Sequence, residues 1–407
     1  MTIAENIEAT LLKSSWIRKM FEEGARLKAE HGNKNVFDFS IGNPNLPPPD
    51  QFQEALEQVA GQKDDWIHGY MPNTGYPFVR HAIAENIRIE QAADITQEDI
   101  VITCGAAGGL NVILKALLNP GEEVLVTRPF FVEYTFYAQN HNGVLKTVPA
   151  QKDFTLDLEA IEQAITPKTK VMLINSPNNP TGQIYSEKSL KRLGEILEEK
   201  GKTFGTTIYL VSDEPYRNIV FDDARVPPVF PCYKNSIVAT SHSKDLSLAG
   251  ERIGYLVVNP DAEYREPVLQ AAALTNRILG FVNAPAIIQR VLPFIQGARV
   301  DVGAYKRKRD IFCKGLARAG YEFTIPPGAF YLFPESPLKD DVAFVRALQE
   351  ELILAVPGSG FGQPGYFRLS FCVDDETIEN AIPGFERVVN NPSAKDRGAC
   401  KVTCKPG

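Results

Sequence analysis

Short, nearly uninterrupted apolar runs recur through the middle of the chain, with helical patterns between them. Six runs are rich in β-branched residues and suggest strands: Ile100–Thr103, Glu123–Val126, Val171–Ile174, Ile208–Val211, Ser236–Thr240 and Ile253–Val258. A strand that is covered on both faces needs apolar side chains on both, so it loses the alternation of a half-exposed strand. The pattern predicts an α/β domain with a mostly parallel sheet between layers of helices.

The chain on either side of this region has a different pattern. Residues 14–30 place apolar side chains on one face of a helix, and residues 36–41 suggest a short strand. The prolines of residues 42–49 exclude a helix or a central strand there. Towards the C-terminus, longer helical stretches precede short strands and a last helix, predicted at 323–325, 330–333, 367–371 and 375–389.

These changes predict two domains, because 407 residues are long for one hydrophobic core. The larger α/β domain takes residues 50–289. The smaller α+β domain is discontinuous and takes residues 14–49 and 290–392. An N-terminal arm at 1–13 and a flexible tail at 393–407 complete the chain.

Charge and cysteine content exclude several classes of function. The net charge of −7 argues against a nucleic-acid surface, and the short basic run Lys306–Arg309 lies in a helical pattern that predicts a solvated face. No apolar run is long enough to cross a bilayer and no signal peptide is visible, so we expect a cytoplasmic protein. Four of the six cysteines lie in or near apolar segments and are expected to be reduced. Cys400, Cys404 and the histidines lack metal-site spacing, so no metal is expected.

One loop between two predicted strands carries a candidate nucleophile, Lys244. A lysine in a loop is usually a solvated charge, but the strands on both sides are apolar enough to be buried, which puts this loop at a sheet edge. Partial desolvation weakens the preference for the charged form and makes the amine a nucleophile. Ser241, Ser243 and Arg252 supply hydroxyl and guanidinium donors for a phosphate. A Schiff-base lysine with phosphate anchors indicates pyridoxal phosphate.

The other strand ends offer suitable side chains, and in such sheets ligands collect at the carboxyl ends of the strands. Small residues at 105–109 open a helix whose free N–H groups can hold a phosphate. Phe131, Asn179 and Asp213 follow three further strands. Each has a structural explanation by itself, namely core packing, turn geometry or helix capping. Those explanations do not predict that every strand end carries a plausible cofactor contact.

From about Asp38 to Val389 the chain resembles the class I/II aminotransferases, fold-type I pyridoxal-phosphate enzymes of the aspartate aminotransferase group. The matching motifs are Ser-x-Ser-Lys-x5-Gly-x-Arg-x-Gly from Ser241, Asn-Pro-Thr-Gly from Asn179, Asp-Glu-x-Tyr from Asp213 and Tyr-x-Arg-x-Ser from Tyr366. The resemblance implies transfer of an amino group between an L-amino acid and a 2-oxo acid by ping-pong chemistry.

The resemblance implies a role for each motif residue. Lys244 forms the Schiff base and carries a proton from the substrate Cα, while Asp213 keeps the pyridine nitrogen protonated. Asn179 and Tyr216 bind the phenolic oxygen, and Phe131 stacks on the ring. The implied phosphate contacts within the same chain are Gly105, Ala106, Ala107, Ser241, Ser243 and Arg252.

Three further residues match positions that contact the substrate or a second subunit. Tyr70 matches a tyrosine that reaches the phosphate of the neighbouring subunit's cofactor, which implies a homodimer with shared active sites. Arg368 matches the arginine that binds the substrate α-carboxylate by two points. Gly42 matches a loop glycine near that carboxylate, to which Asn179 also lies close in the family.

The substrate side chain is not fixed by the resemblance. One bacterial subgroup of aspartate aminotransferases binds the distal carboxylate with a lysine in the phosphate turn, where this chain has Ala107. Another subgroup uses an arginine of the partner subunit shortly before an Asn-Pro segment. Arg277, which precedes Asn283-Ala284-Pro285, lies about one residue from that position. We treat Arg277 as a hypothesis for a distal-carboxylate contact.

Two other classes of function stay open at this point. A β-lyase of the C–S lyase type uses the same scaffold, because the same carbanion can eliminate a β-substituent. Fold alone does not separate the two reactions. A regulator that uses the fold to bind an effector carries an additional DNA-binding domain, and only about a dozen residues precede the first predicted helix here.

Overall fold

The computed structural model describes residues 3–5, 7–8, 16–63 and 65–390. These form two compact units. The larger comprises Pro44–Val302 and Pro327–Ala329, and the smaller comprises the described residues up to Asn43, Gly303–Pro326 and those from Phe330 onward. Residues 44–49 and 290–302, which the sequence pattern grouped with the smaller domain, fall in the larger unit. Most of the predicted arm and all of the predicted tail lie outside the described residues.

The helices and strands follow in chain order. They are α1 (Trp16–His31), β1 (Phe37–Asp38), α2 (Asp50–Ala60), α3 (Pro77–Gln91), β2 (Ile100–Thr103), α4 (Gly105–Leu117), β3 (Glu123–Arg128), α5 (Glu133–Gln139), β4 (Val144–Pro149), α6 (Leu158–Ala164), β5 (Thr169–Asn175), α7 (Glu187–Phe204), β6 (Tyr209–Asp213), β7 (Ser236–Ser241), β8 (Gly254–Val258), α8 (Arg265–Ile278), α9 (Ala286–Val291), α10 (Val302–Ala319), β9 (Tyr331–Leu332), α11 (Asp341–Glu350), β10 (Ile353–Leu354), β11 (Val356–Pro357), β12 (Phe367–Ser370) and α12 (Asp375–Asn390).

A seven-stranded sheet of order β2-β8-β7-β6-β5-β3-β4 organises the larger unit. Its strands pair in parallel except β8, which is antiparallel to both of its neighbours. The predicted mostly parallel sheet is therefore confirmed, and all six predicted strands are present. The pattern missed β4, an edge strand in which only Val148 is fully buried. Such a strand has no apolar run, because water covers most of it.

Alternate side chains of the strands enter two separate cores, one on each face of the sheet. Val211 and Ile237 pack on one side, and their chain neighbours Leu210 and Val238 pack on the other. Because successive residues of a strand point to opposite faces, both faces must be apolar where helices cover them. This alternation continues past the ends of β6 and β7 and decides which side chains share a site.

The smaller unit combines an antiparallel sheet of order β11-β12-β9 with the parallel pair β1-β10. Its core contains Phe39, Phe312 and Phe385, with the ring centroid of Phe312 4.8 Å from that of Phe39 and 5.8 Å from that of Phe385. The strand predicted at 323–325 is wrong, because these residues are irregular. They lead directly into Pro326 and Pro327, which lack the N–H that a strand ladder needs.

The solvated face predicted for Lys306–Arg309 is wrong for two of its four residues. Lys308 and Arg309 are buried in α10. Arg309 donates from Nη1 to the carbonyl oxygen of Pro326 at 3.2 Å, and Lys308 lies over the ring of Tyr305 at 5.7 Å. A long cationic side chain can bury its stem while its head finds a carbonyl or an aromatic face, so a basic run does not by itself mean exposure.

The structure bears on two predictions, one about membrane-spanning helices and one about the cysteines. Over the described residues, every helix is too short or too polar to cross a bilayer. The described cysteines carry free thiols, as predicted, and they are Cys104, Cys232, Cys313 and Cys372. Cys400 and Cys404 lie outside the described residues.

Candidate active site

The register of the central strands brings the sequence-predicted residues of the larger unit to one edge of the sheet. Asp213 at the end of β6 pairs with Asn175 of β5 on one side and Ala239 of β7 on the other. At the far side of β7, Ser241 pairs with Gly254, which also pairs with Thr103. The segments that follow β2, β5, β6 and β7 are therefore neighbours, as ligand sites in parallel sheets require.

Asp213 is the electrostatic centre of this edge. Its side chain is buried, and Oδ2 accepts a hydrogen bond from the Tyr134 hydroxyl at 2.5 Å. Oδ1 is buried and has no hydrogen-bond partner among the described residues. Burial raises the pKa of Asp213 to about 7, the Tyr134 bond opposes that rise, and the charge of Glu214 adds to it. A cationic N–H placed against Oδ1 would satisfy this oxygen and favour the carboxylate.

Sequence reasoning missed two residues that hold this centre together. Tyr134 lies in α5, and its N–H donates to the carbonyl oxygen of Phe131 at 3.1 Å, in the turn that precedes the helix. Asn175 donates from Nδ2 to the Asp213 carbonyl at 2.8 Å and accepts from the Asn179 N–H at 2.7 Å. It thereby ties the turn after β5 to the end of β6. A polar residue ending an apolar strand was the available signal for Asn175.

The loop that carries Lys244 is held by its own backbone. The His242 N–H donates to Ile253 O at 3.1 Å and the Leu248 N–H donates to His242 O at 3.2 Å. Lys244 is partly buried, as predicted for a usable amine. The buried Ser241 hydroxyl donates to the buried Ser243 hydroxyl at 3.1 Å, so two hydroxyl groups lie together beside the lysine.

The first turn of α4 provides a cradle for an anion. Gly105 has a φ of +70°, and a Cβ there would lie 3.2 Å from Nη2 of Arg252. A side chain is thus disfavoured by conformation and space, and the guanidinium lies beside the start of a 13-residue helix. Ala106 and Ala107 form the first turn, whose N–H groups have no partner within the helix. Free N–H groups next to an arginine suit a phosphate.

The remaining predicted cofactor contacts of this unit lie at or near the same edge. The Phe131 ring is perpendicular to that of Tyr134, with centroids 5.6 Å apart, and is partly exposed. Asn179 and Tyr216 are buried in the segments after β5 and β6. Tyr70 differs, because its side chain is 94% exposed in the single chain. Arg277 is also exposed, in the last turn of α8.

In the smaller unit, Arg368 and Gly42 share one environment. Arg368 lies in β12, is buried, and donates from Nη2 to Ser40 O at 2.5 Å. Its guanidinium carbon lies 4.8 Å from the Tyr331 ring centroid and 4.9 Å from that of Phe361. A Cβ at Gly42 would lie only 2.0 Å from the Tyr331 hydroxyl. The glycine therefore leaves room for the tyrosine that covers the guanidinium, which the aromatic rings stabilise.

These residues fit pyridoxal phosphate. The fit rests on three features of the larger unit: an unpaired buried carboxylate oxygen, a glycine-opened helix beside an arginine, and a partly buried lysine. They match the cationic ring nitrogen, the phosphate and the aldehyde of that cofactor. A mostly parallel sheet with this set at its edge defines a fold-type I pyridoxal-phosphate enzyme.

Comparison with known proteins gives the family. Residues 34–385 match the family "Aminotransferase class I and II", and the chain belongs to it. It is 30% identical over 379 residues to the probable aspartate aminotransferase of Methanocaldococcus jannaschii, covering 91% of this chain and 96% of that protein. It is therefore a pyridoxal-phosphate-dependent aminotransferase, and nothing in these relatives favours the β-lyase alternative.

Solved structures agree with this assignment. An amino transferase from Eubacterium rectale shows a TM-score of 0.92 at 38% identity, over 95% of this chain and 98% of that one. The aspartate aminotransferase from Thermus thermophilus with maleate shows a TM-score of 0.84 at 27% identity, over 95% of this chain and 100% of that one.

The Tyr134–Asp213 hydrogen bond yields a first prediction. Tyr134→Phe removes the hydroxyl that donates to Asp213 Oδ2, so the pKa of this carboxyl in the apoprotein rises further above about 7. The carboxylate fraction at neutral pH then falls, and the acid limb of the pH profile for cofactor binding moves to higher pH. We expect affinity at neutral pH to fall by about tenfold, the size of one charge-assisted hydrogen bond. The measurement is cofactor titration followed by absorbance across pH.

Tyr137→Phe is the matched control for this prediction. Tyr137 lies on the same helix with its ring centroid 6.4 Å from that of Tyr134, and its hydroxyl makes no hydrogen bond to Asp213. Its pH profile should match that of the unmodified protein. Equal shifts in the two variants would show that the Tyr134 hydroxyl has no particular effect on Asp213.

Proposed function

We propose that Lys244 and Asp213 carry out amino transfer between an L-amino acid and a 2-oxo acid in this chain. The observation that carries the proposal is the buried, unpartnered Oδ1 of Asp213 at the sheet edge where the Lys244 loop begins. A buried polar atom without a partner is costly, so one that persists needs a ligand group. When bound, the cofactor supplies a protonated ring that withdraws electrons from the substrate Cα.

Other residues of the larger unit would each contact one part of the cofactor. Asp213 holds the ring nitrogen protonated, and its bond from Tyr134 fixes the carboxylate plane. Asn179 and Tyr216 hydrogen-bond to the phenolic oxygen, and Phe131 packs on the ring face. The residues that hold the phosphate are Gly105, Ala106, Ala107, Ser241, Ser243 and Arg252.

Lys244 has two tasks in this proposal. Its Nζ would hold the cofactor covalently in the resting enzyme and would be released when an amino acid takes its place. The free Nζ would then accept the proton from the substrate Cα. Lys244 is partly buried, which suits an amine that acts as a nucleophile.

Arg368 binds the substrate α-carboxylate. Its aromatic surroundings keep the guanidinium charged and oriented, and its hydrogen bond to Ser40 O directs one of its amino groups. A carboxylate needs the planar two-point donor that arginine provides and lysine does not. Gly42 supports this arrangement by admitting Tyr331.

For the distal end of the substrate we propose a dicarboxylic amino acid held by Arg277 of a second subunit. One related structure carries maleate, a dicarboxylate, and the relative from Methanocaldococcus jannaschii is named a probable aspartate aminotransferase. Ala107 has no charge to offer at the position where one subgroup has lysine. Arg277 is exposed on the single chain, as a residue that serves a partner must be.

Lys244→Ala tests the central proposal. The unmodified protein with cofactor should show the visible absorbance of a lysine-bound cofactor, and the variant should not. Adding single amino acids without any oxo acid should bleach the band to the amine form of the cofactor. A normal band in the variant would overturn the role of Lys244. Release of ammonia and pyruvate with the aldehyde cofactor retained would instead favour elimination.

The two arginines give a paired prediction. Arg368→Lys should lower kcat/KM for every amino acid by roughly 100-fold, because all of them share the α-carboxylate. Arg277→Ala should lower kcat/KM for aspartate and glutamate by about tenfold or more and leave alanine unchanged. Steady-state kinetics with these three substrates makes the comparison. Equal losses on alanine would remove Arg277 from the proposal, and a loss limited to dicarboxylates in Arg368→Lys would remove Arg368.

We further propose a homodimer in which Tyr70 reaches the cofactor phosphate of the partner, as its 94% exposure permits. Mixing Tyr70→Phe with Lys244→Ala chains tests this. Random pairing makes half of the dimers mixed, and each mixed dimer then has one intact site, so about a quarter of wild-type activity should return. No recovery would place Tyr70 with its own subunit. Analytical ultracentrifugation tests the homodimer by giving the mass of the protein in solution.

The expected cytoplasmic location is tested separately, by fractionation of cells that express the protein.

A further inference from the structure

The opposite face of the same strand ends carries a second polar cluster, for which the proposed function has no role. Asp213 and Ser241 continue the alternation of Val211 and Ala239 and face the core that contains Tyr134. The residue after each, Glu214 and His242, turns to the other face. The cluster therefore lies directly behind the proposed cofactor site.

This cluster lines a cavity of about 20 Å³. Organic ligands occupy cavities of roughly 300 Å³ or more, so this one is too small for a substrate or effector. We therefore look for a role of this cluster in the structure of the protein itself and not in binding a ligand. Its charged or titratable lining consists of Glu90, Glu214, Arg217, His242, Asp245 and Arg299, together with the phenol of Tyr255.

Part of the cluster is a fully paired ionic network. Arg217 Nη1 lies 2.8 Å from Glu214 Oε2, and Arg217 Nε lies 3.5 Å from Glu90 Oε2. Glu214 also accepts hydrogen bonds from Ser212 Oγ at 2.7 Å and Gln91 Nε2 at 3.0 Å. Buried charges with this many partners are satisfied structurally and leave little freedom to act otherwise.

His242 and Asp245 form the other part. His242 Nδ1 lies 3.4 Å from Asp245 Oδ1, and Asn218 Nδ2 donates to Asp245 Oδ2 at 3.3 Å. Neither ring nitrogen of His242 makes a hydrogen bond to another described residue. The imidazole is therefore held by the carboxylate of Asp245 and by packing, including the Tyr255 ring at 5.9 Å between centroids.

The cavity that His242 lines contains three carboxyl groups, those of Glu90, Glu214 and Asp245, and two guanidinium groups, those of Arg217 and Arg299. Burial raises the pKa of Glu90. Burial disfavours the imidazolium, but Asp245 and Glu90 outweigh it and leave the pKa of His242 above its usual value. Burial and the nearby carboxylates hold the pKa of Tyr255 well above its usual value, so its phenol stays neutral.

The pair is connected to Lys244 through the chain. His242 lies two residues before Lys244 and Asp245 one residue after it, and both side chains line the cavity on the opposite face. The Asp245 carbonyl also accepts from the Val300 N–H at 2.9 Å. The residues that flank Lys244 in the chain are thus held on the face of the sheet opposite the proposed cofactor site. Loss of either anchor would widen the range of backbone conformations at Lys244.

We propose that His242 and Asp245 form a buried, pH-dependent ion pair that positions Lys244 to capture the cofactor. The inference rests on the proposed function of Lys244, and it makes both flanking residues positioning residues. The pKa of His242 is higher in the folded protein than in the unfolded chain. The stability that the ion pair gives to the folded loop is therefore complete below about pH 6.5, and it is lost as pH rises through the folded pKa.

The test compares cofactor affinity across pH. Full-length apoprotein is titrated with pyridoxal phosphate and followed by absorbance, for the unmodified chain, His242→Asn and Asp245→Asn. The ratio of variant to unmodified Kd should be on the order of tenfold at about pH 6 and fall towards one by about pH 9. Both variants should follow one profile, and the double variant should be no weaker than either, since all three remove one interaction.

A control variant at an exposed histidine shows whether the effect is specific to His242. His81→Asn changes an exposed histidine of α3 that does not line the cavity, and its ratio should stay at one. A ratio for His242→Asn that is constant with pH, whether one or tenfold, overturns the ion pair. Asp245→Asn gives the same answer if His242→Asn does not fold. A missing band in the unmodified protein, or a normal band in Lys244→Ala, would instead overturn the proposed function.

Discussion

A buried carboxyl group with one unsatisfied oxygen is the constraint on which the active-site edge depends. Left alone, Asp213 is destabilising as a carboxylate, which is why burial raises its pKa to about 7. Tyr134 satisfies one oxygen, and Asn175 holds the backbone at the same point. The other oxygen has no hydrogen-bond partner among the described residues and is available to a cationic group of a ligand. The strand end therefore suits a bound group, and the anion cradle that follows β2, three strands away across the sheet, suits the other end of that group.

The period of two along β6 and β7 then gives the same strand ends two environments. Residues 213 and 241 face the proposed cofactor site, while residues 214 and 242 face an ionic cluster on the reverse side. The Lys244 loop belongs to both, because it starts on one face and its flanking side chains are anchored on the other. A loop held from behind in this way can present a mobile lysine while its backbone stays fixed, which the proposed displacement and return of the amine require.

Much of this fold was predictable because its strands are buried on both faces and therefore read as apolar runs. The failures have physical causes. β4 is exposed at the sheet edge, and 323–325 looks like a strand but leads into two prolines. Lys308 and Arg309 are charged yet buried through partners distant in sequence. The positions of Asp213 and Asn179 at the ends of strands were predictable, because each follows an apolar run. Tyr134 was not, because its role depends on a hydrogen bond to a residue 79 positions away.

The motifs predict how the part common to all amino acid substrates is bound, but they do not predict how the variable side chain is bound. Every amino acid presents the same α-carboxylate, so one binding group suffices, and we propose for it Arg368, whose guanidinium lies against two aromatic rings beside Gly42. The distal group differs among substrates, and we propose that Arg277, which lies outside the motifs, recognises it. A change at such a residue would alter the substrate without altering the cofactor site. The same fold can therefore keep its reaction while its specificity drifts, and the distal contact has to be argued separately from the fold.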